Sequence, residues 1–221
     1  MKKPHVSPRH AAFSLIELVV VIAIIAIIAT FTVPAATTIL RGSALTQASQ
    51  TLTDQISYAR QRALSRNLAV EVRFYQYADP EAPGEKVSDP MTGQYRAMQL
   101  FEVVESGVAV PLDKSQRLPI SVVIEPNATF STLISAASQI PAKKPVASDP
   151  ELPRGVAKNY NYVSFRFQQD GSTNLAPATQ WFVTIRNLTD KVTGSTPPPN
   201  FFTLQIDPVS GAVKGFRPTA G

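Results

Sequence analysis

The sequence offers few side chains capable of catalysis. The 221-residue chain has no cysteine and only two histidines, His5 and His10, which both precede a long apolar run. Disulfides, thiolate metal sites and Cys–His pairs are therefore excluded. If the segment before the run is removed, the mature chain also lacks histidine, so a Ser-His-Asp triad or a His-ligated zinc cannot form within it. We accordingly predict no enzymatic activity, no metal and no cofactor.

Two carboxylates could in principle act as a pair in hydrolysis. Asp170 precedes Gly171, and Asp207 precedes Pro208. Carboxylate pairs serve as general acid and base in glycoside hydrolysis, but Asp beside Gly or Pro is also typical of turns. Turn formation is the better interpretation of both residues.

One acid occupies a position where a charge is costly. Glu17 lies in the run from 13 to 33, which is otherwise apolar except for a few hydroxyl side chains. About 20 apolar residues suffice to span a bilayer as a helix. The flanking Lys2, Lys3 and Arg9 favour a cytoplasmic N-terminus and export of the remainder. These features fit an ordinary secretory signal cut near Ala29 or at 35–36, a plain signal anchor, or a prepilin leader.

The stretch "AFSLIELVVVIAIIAIIATFTVP" resembles the N-terminus of type IV pilins and type II secretion pseudopilins. The resemblance implies cleavage between Ala12 and Phe13 by prepilin peptidase and methylation of the new amine of Phe13. Glu17 becomes the fifth mature residue, as in that family, and Pro34 falls where many members have a helix-kinking proline. The chain departs from the pattern at Ala12, because the family nearly always has glycine there.

The resemblance also implies a role for Glu17. A carboxylate in hydrocarbon costs several kcal/mol unless it is paired. Pairing with the free amine of Phe13 on a neighbouring subunit would favour one axial register between packed helices. The alternative is that Glu17 lies at the cytoplasmic interface and is hydrated.

Beyond Pro34 the sequence predicts an amphipathic helix over 35–67. Asn67 is a plausible stop, because asparagine tolerates the left-handed conformation. The cluster of Arg60, Arg62 and Arg66 suits the negative end of a helix dipole, and a contact surface for DNA or an acidic partner is the alternative. The apolar stripe recurs every three or four residues, at Leu45, Ala48, Leu52, Ile56, Ala59 and Ala63.

After Asn67 the apolar period changes to two, which is typical of strands. "LAVEVRFYQY" predicts a half-buried strand, and further strands are predicted in "YRAMQLFEVV", "PISVVIEP", "VSFRFQQ", "WFVTIRN" and "NFFTLQIDPVSGAVKGF". Trp181 alternates with Val183 and Ile185, so we expect it in the core. Residues 131–158 are rich in Pro, Ala and Ser without a period, and predict a long exposed loop.

The order of a long helix, the "LAVEVRF" strand, an "F-x-x-D-G-S" turn and a final "I-D-P-x-S-G-x-V" hairpin is similar to minor pseudopilins of the GspH/FimT type. Within that group the chain looks most like the Verru_Chthon cassette protein D family. The implied fold class is α+β: a type IV pilin-like long N-terminal helix packed on an antiparallel sheet. The predicted organisation is a leader at 1–12, a transmembrane half-helix at 13–34, an amphipathic half-helix at 35–67 and a β-rich head at 68–221.

The implied function is a non-catalytic structural subunit of a type II secretion or type IV pilus-like fibre. It implies a single-pass protein of the bacterial inner membrane, with a periplasmic head that can be extracted into a pseudopilus. The implied partners are prepilin peptidase, other pseudopilins or minor pilins, and the inner-membrane assembly platform. A plain membrane-anchored periplasmic interaction domain is an alternative.

A DNA-binding module of the FimT type is a further alternative, through a patch of Arg166, Arg186, Lys214 and Arg217. The net charge of the chain is +5, but three of its 21 basic residues lie in the first twelve. Without them 18 basic side chains face 16 acidic ones, so the charge is only +2. The basic pI is therefore weak evidence for a nucleic-acid partner.

Overall fold

The structure is a computed structural model that describes residues 14–82, 85, 89–90, 93–134, 140–190 and 192–218, without the side chains of 31–38. The chain divides into two units, an N-terminal unit Met1–Leu40 and a sheet unit Arg41–Gly221. Helix α1 covers Leu15–Arg66 and belongs in part to each. The predicted α+β class is confirmed by this helix and the antiparallel sheet that follows it.

The part of α1 in the sheet unit buries one face completely. All six residues of the predicted stripe, from Leu45 to Ala63, are fully inaccessible to solvent. The helix ends at Arg66, and Asn67 adopts a φ of 54°. The left-handed conformation at this position ends a helix without a steric penalty for asparagine. Both the apolar stripe and the stop were therefore correctly predicted.

Within the described residues the sheet has nine antiparallel strands, in the order β6-β1-β2-β5-β7-β8-β9 with β3 and β4 also pairing β2. Strands β3, β4 and β5 pair with successive parts of the same edge of β2. Together they therefore take the place of one interrupted strand. The bounds are β1 Ala69–Tyr77, β2 Gln94–Val103, β3 Ala109–Pro111, β4 Gln116–Arg117, β5 Val122–Ile124, β6 Asn161–Phe167, β7 Trp181–Asn187, β8 Phe201–Ile206 and β9 Val213–Phe216.

The main core lies between α1 and one face of the sheet. It combines the helix stripe with apolar residues from β1, β2, β5, β6, β7 and β8. Trp181 is 2% exposed and donates its indole N–H to the carbonyl of Ala176 at 2.9 Å. Its predicted core position is thus confirmed, and its polar atom is satisfied.

The prediction that β1 is half-buried is wrong. Its alternate residues Glu71, Arg73 and Tyr75 are buried as well as its apolar face. The reason is a second layer that packs on the outer face of the sheet. Because the polar residues of β1 form ion pairs beneath this layer, alternation of apolar and polar residues did not indicate exposure.

The second layer comes from the segment predicted as an exposed loop. We call residues 140–160 the strap. The strap lacks regular strands, but Leu152, Val156 and Tyr160 are buried. They form a small apolar cluster with side chains of the sheet, namely Tyr75, Tyr77, Ala97 and Tyr162. The prediction of exposure for 131–158 is therefore wrong for these residues and for Leu133 and Ile134, which join the main core.

Both candidate carboxylates form turns, as the sequence indicated. Asp170 Oδ1 accepts from the backbone N–H and the hydroxyl of Ser172, at 2.9 and 2.6 Å. Asp207 Oδ1 accepts from the N–H groups of Val209 and Ser210, at 3.0 and 2.7 Å. The hydroxyl of Ser172 is the main cause that lowers the pKa of Asp170, and the N–H of Ser210 has the same effect on Asp207.

Candidate functional site

The predicted processing site lies at the edge of the described structure. Ala12 and Phe13 are outside the described residues, and so is the side chain of Pro34. The cleavage point and the kink at Pro34 therefore stay predictions. Glu17 is described, and it lies in the first turn of α1.

Ser14 and Glu17 together cap the N-terminus of α1. The Ser14 hydroxyl accepts a hydrogen bond from the Glu17 N–H at 3.2 Å. In return Glu17 Oε2 accepts from the Ser14 N–H and from its hydroxyl, each at 3.2 Å. This reciprocal arrangement is the capping box, which satisfies N–H groups that have no partner within the helix. The signal for it, Ser-x-x-Glu before an apolar run, is present in the sequence and was overlooked.

The capping box gives Glu17 a second interpretation within one chain. A carboxylate in the first helical turn also interacts favourably with the positive end of the helix dipole. Only Oε2 takes part in the hydrogen bonds seen among the described residues. The charge of Glu17 is thus compatible both with the isolated helix and with a cationic partner from outside it.

The N-terminal unit presents apolar side chains on all sides. They include Ile16, Leu18, Val19, Ile24 and Ile27, each more than half exposed and spread around the helix. Among the residues described, no helix meets both the length and the apolarity needed to cross a membrane.

On the outer face of the sheet, Arg73 is held between two carboxylates and two rings. Its Nε donates to Glu71 and its Nη1 to Asp149, both at 2.6 Å. The guanidinium carbon lies 4.0 Å from the ring centroid of Phe101 and 4.5 Å from that of Tyr162. Because Asp149 belongs to the strap, this contact ties the strap to the sheet.

Burial and charge oppose each other at Glu71. Burial by itself would raise the pKa of Glu71, but hydrogen bonds and charges from Arg73 and Arg166 outweigh it, and the pKa is lowered. Arg166 contributes from β6, with its Nε 2.8 Å from Glu71 Oε2. The carboxylate therefore stays charged at neutral pH, so it is not arranged as a general acid.

A second ionic cluster joins β2 to the loop after β1. Buried Arg96 on β2 pairs with Asp79 and Glu85, and Arg117 on β4 also pairs with Asp79. Each of these carboxylates has a guanidinium partner. Among the described residues, no group of three or more potential ligands is arranged to hold a metal ion.

The four cations proposed as a contact patch have different surroundings. Arg186 donates its Nε to Glu125 at 2.5 Å, and its Nη1 also contacts three backbone carbonyls. Arg166 is committed to Glu71. In contrast, Lys214 and Arg217 are exposed, and their contacts are with the ring of Phe216 and the hydroxyl of Thr46. Strand order places three strands between the β6 of Arg166 and the β7 of Arg186.

Residues 7–33 match the family model described as the prokaryotic N-terminal methylation motif. This match includes Ala12, Phe13, Ser14, Glu17 and the apolar run. No curated protein is similar enough in sequence to count as a match.

The fold is similar to two kinds of solved structure. One is the minor pseudopilin EpsH from the type 2 secretion system of Vibrio cholerae, at 7% identity and a TM-score of 0.42, with 80% of this chain and 98% of that chain covered. The other is the type IV minor pilin FimU of Pseudomonas aeruginosa, at 16% identity and a TM-score of 0.39, with 80% and 93% covered. A second crystal form of FimU gives 15% identity and the same TM-score.

Proposed function

We propose that this chain is a non-catalytic, prepilin-like structural subunit of a pilus-like fibre, of the type II secretion or type IV pilus kind. The observation that carries the proposal is the match of residues 7–33 to the N-terminal methylation motif. Cleavage before Phe13 would make Glu17 the fifth residue of the mature chain. The architecture of a long helix followed by an antiparallel sheet is consistent with it. Membership of the cassette protein D family stays a prediction.

The first step of this function is cleavage between Ala12 and Phe13. Prepilin peptidase would remove residues 1–12, and the amine of Phe13 would then be methylated. Mass spectrometry of the membrane-extracted protein should find a methylated N-terminus at Phe13 only when the peptidase is present. Ala12→Gly restores the residue usual in the family and should be cut at least as completely. An intact Met1, or a cut near Ala36, would refute the proposal.

The second step is insertion and assembly. We propose that the apolar helix anchors the chain in the bacterial inner membrane, with the sheet unit in the periplasm, until the subunit enters the fibre. Other pilin-like subunits and the assembly platform would be its partners. The exposed apolar side chains from Leu15 to Ile27 support this, because large exposed apolar surfaces mark contacts with a membrane or with other proteins.

Glu17 would then exchange its contact with Ser14 for the amine of Phe13 in a neighbouring subunit. Two variants separate capping from pairing. Glu17→Gln keeps the capping box, since glutamine serves equally at this position, but removes the charge. Ser14→Ala removes part of the cap, at a cost of about 1 kcal/mol, and keeps the charge.

The readout is the fraction of subunit that co-sediments with fibres sheared from the native host. We expect loss of incorporation in Glu17→Gln and near-normal incorporation in Ser14→Ala. Equal incorporation of the two variants would mean that the charge of Glu17 does not set the register.

Binding of nucleic acid receives less support as a function. Arg166 and Arg186, two of its four proposed contact residues, have their Nε atoms on the carboxylates of Glu71 and Glu125. Neutralised in this way, they add little to the phosphate attraction that governs such binding. A gel shift over a salt series tests the remaining cations, and absence of binding at low salt would exclude the function.

A further inference from the structure

The two edges of the sheet are treated differently. An edge strand exposes unpaired backbone N–H and C=O groups, which attract further strands unless they are covered. In β6 the groups that point away from β1 belong to Tyr162, Ser164 and Arg166. Tyr162 exchanges two backbone hydrogen bonds with Lys143 of the strap, at 2.7 and 2.9 Å. This edge is therefore partly closed by the strap.

Arg166 is covered as well. Its N–H donates to the side-chain oxygen of Asn174 at 2.6 Å, and its carbonyl accepts from the Asn174 N–H at 3.0 Å. Of the three outward-facing residues of β6, two thus have both backbone groups satisfied. An incoming strand would find no continuous row of free groups along β6.

The opposite edge, β9, is open. The Asp207 N–H donates to the carbonyl of Ala212, so these two residues form a hydrogen-bonded pair. From this pair onward, hydrogen-bonded and non-hydrogen-bonded pairs alternate along β8 and β9. Lys214 and Phe216 therefore exchange backbone hydrogen bonds with β8, whereas the N–H and C=O groups of Val213 and Gly215 point outward. Among the described residues, nothing pairs with this outward side of β9.

The side chains of β9 add a chemical preference to the open edge. Lys214 and Phe216 lie on the outer face, with Phe216 42% exposed and the Lys214 amine 5.2 Å from its ring centroid. The residue opposite Lys214 on β8 is neutral Gln205. From Pro208 to the last residue the sequence contains no acid, while Lys214 and Arg217 are both basic.

We propose that β9 accepts an extended segment of a different protein, and not of a second copy of this chain, as a tenth strand. The segment that fits carries an acidic residue and an apolar residue two positions apart, so that one lies beside Lys214 and the other beside Phe216. Cross-strand pairs of opposite charge, and apolar pairs, stabilise a sheet in this way. The proposal depends on the sheet unit and not on leader cleavage, so it can fail or hold independently of the proposed function.

The open edge also has features that limit unspecific pairing. It is four residues long, it carries Lys214, and Pro218 follows soon after it. Lysine and short length are common protections of exposed edges. These features permit pairing with a short segment of opposite charge and disfavour pairing with a long uncharged segment. Such a preference is expected of a selective contact.

The test uses the full chain in detergent and a synthetic eight-residue peptide of alternating Thr and Val in which the third Val is replaced by Glu. Hydrogen exchange of individual amides is followed by NMR. At about 90% occupancy the exchange of the Val213 and Gly215 amides should slow about tenfold. The amides of Lys214 and Phe216, already bonded to β8, should change little.

Three controls test whether binding uses backbone hydrogen bonds and the charge of Lys214. A peptide N-methylated on alternate residues should not bind, because it cannot form the ladder. Lys214→Glu should weaken the Glu peptide about fivefold and favour its Lys counterpart. Lys144→Glu, an exposed cation of the strap, should leave binding unchanged.

Protection that falls elsewhere, or equally on all four β9 amides, overturns the proposal. Protection of the same amides without peptide, rising with protein concentration, would show that the occupant is a second copy. Binding of a twelve-nucleotide thymidine strand in place of the peptide, lost as salt is raised, would show a nucleic-acid surface. Either result would also overturn it.

Discussion

Replacement of Arg73 by methionine tests whether the buried ion pairs hold the strap on the sheet. Arg73 bridges Glu71 and Asp149, whose side chains are only 3% and 7% exposed. Removing one partner of a buried pair costs about 3–5 kcal/mol, because the remaining charge is left without compensation. For Arg73→Met we expect a loss of unfolding free energy of about 3 kcal/mol, the lower end of this range, because both carboxylates keep one other partner. Glu71 keeps Arg166, and Asp149 keeps the N–H of Val146 at 2.8 Å.

The assay is urea unfolding of the full chain in detergent, followed by fluorescence. Trp181 is the single tryptophan and lies in the core of the sheet unit, so the signal reports unfolding of this unit. The matched control is Arg62→Met. Arg62 pairs with Glu102 at 2.7 Å, but the two side chains are 25% and 21% exposed. A pair of this exposure contributes about 0–1 kcal/mol.

The result that would refute the reasoning is an equal loss of stability in Arg73→Met and Arg62→Met, or a loss below about 1 kcal/mol for Arg73→Met. A double-mutant cycle with Asp149→Asn refines the test. The loss from the double replacement should be smaller than the sum of the single losses, because neutral asparagine removes the carboxylate that Arg73→Met leaves without a guanidinium partner.

Three further predictions concern stability, each measured by the same unfolding assay. Ile56→Ala should cost about 2–5 kcal/mol, because the side chain is fully buried in the main core; a loss below 1 kcal/mol would contradict the packing. Gly211→Ala should destabilise more than Gly107→Ala: both have positive φ, but only at Gly211 would a Cβ meet backbone, the carbonyl of Gly171. The pKa of Glu71 is lowered, so the charged carboxylate stabilises the fold above the unfolded pKa of 4.5, and this stabilisation is lost as the pH falls through the folded pKa. Glu71→Gln should therefore flatten the decline of stability below about pH 4.5. An unchanged decline would count against this prediction.

The spacing of apolar residues correctly predicted the elements that bury one face in the core and expose the other to solvent. The stripe on α1 is of this kind, and all its members are buried as expected. Trp181 and its neighbours on β7 were also placed correctly. These predictions succeed because burial of apolar area is the dominant favourable contribution to folding, so apolar residues recur in the sequence with the period of the buried face.

Periodicity failed where a polar residue is buried by pairing. Glu71 and Arg73 resemble a solvent-facing row, and only the three-dimensional position of Asp149 shows that they are covered. The strap itself has no period, since Leu152, Val156 and Tyr160 contact the sheet from irregular backbone. Such contacts depend on where a long loop returns, which spacing along the chain does not encode.

At the candidate site the sequence indicated Glu17 by its position and missed Ser14. The capping box has a known local spacing and could have been identified. The open edge at β9 could not, because it depends on strand order: β9 is the last strand in the sheet, and the strap covers β6 instead. No local pattern distinguishes an edge strand that is covered from one that is free.

The last hairpin of the chain packs against its first described helix, and this has a consequence for biogenesis. Ser210 accepts from Arg60 across 150 positions, and Thr46 accepts from Arg217 across 171. Leu204 and Ile206 complete the core around the α1 stripe. A polypeptide emerging from N- to C-terminus therefore keeps the apolar stripe partly uncovered until its final twenty or so residues have appeared. We expect the chain to be accessible to chaperones and proteases during that interval, so a truncation within the last hairpin should be degraded rather than accumulate as a shortened, folded head.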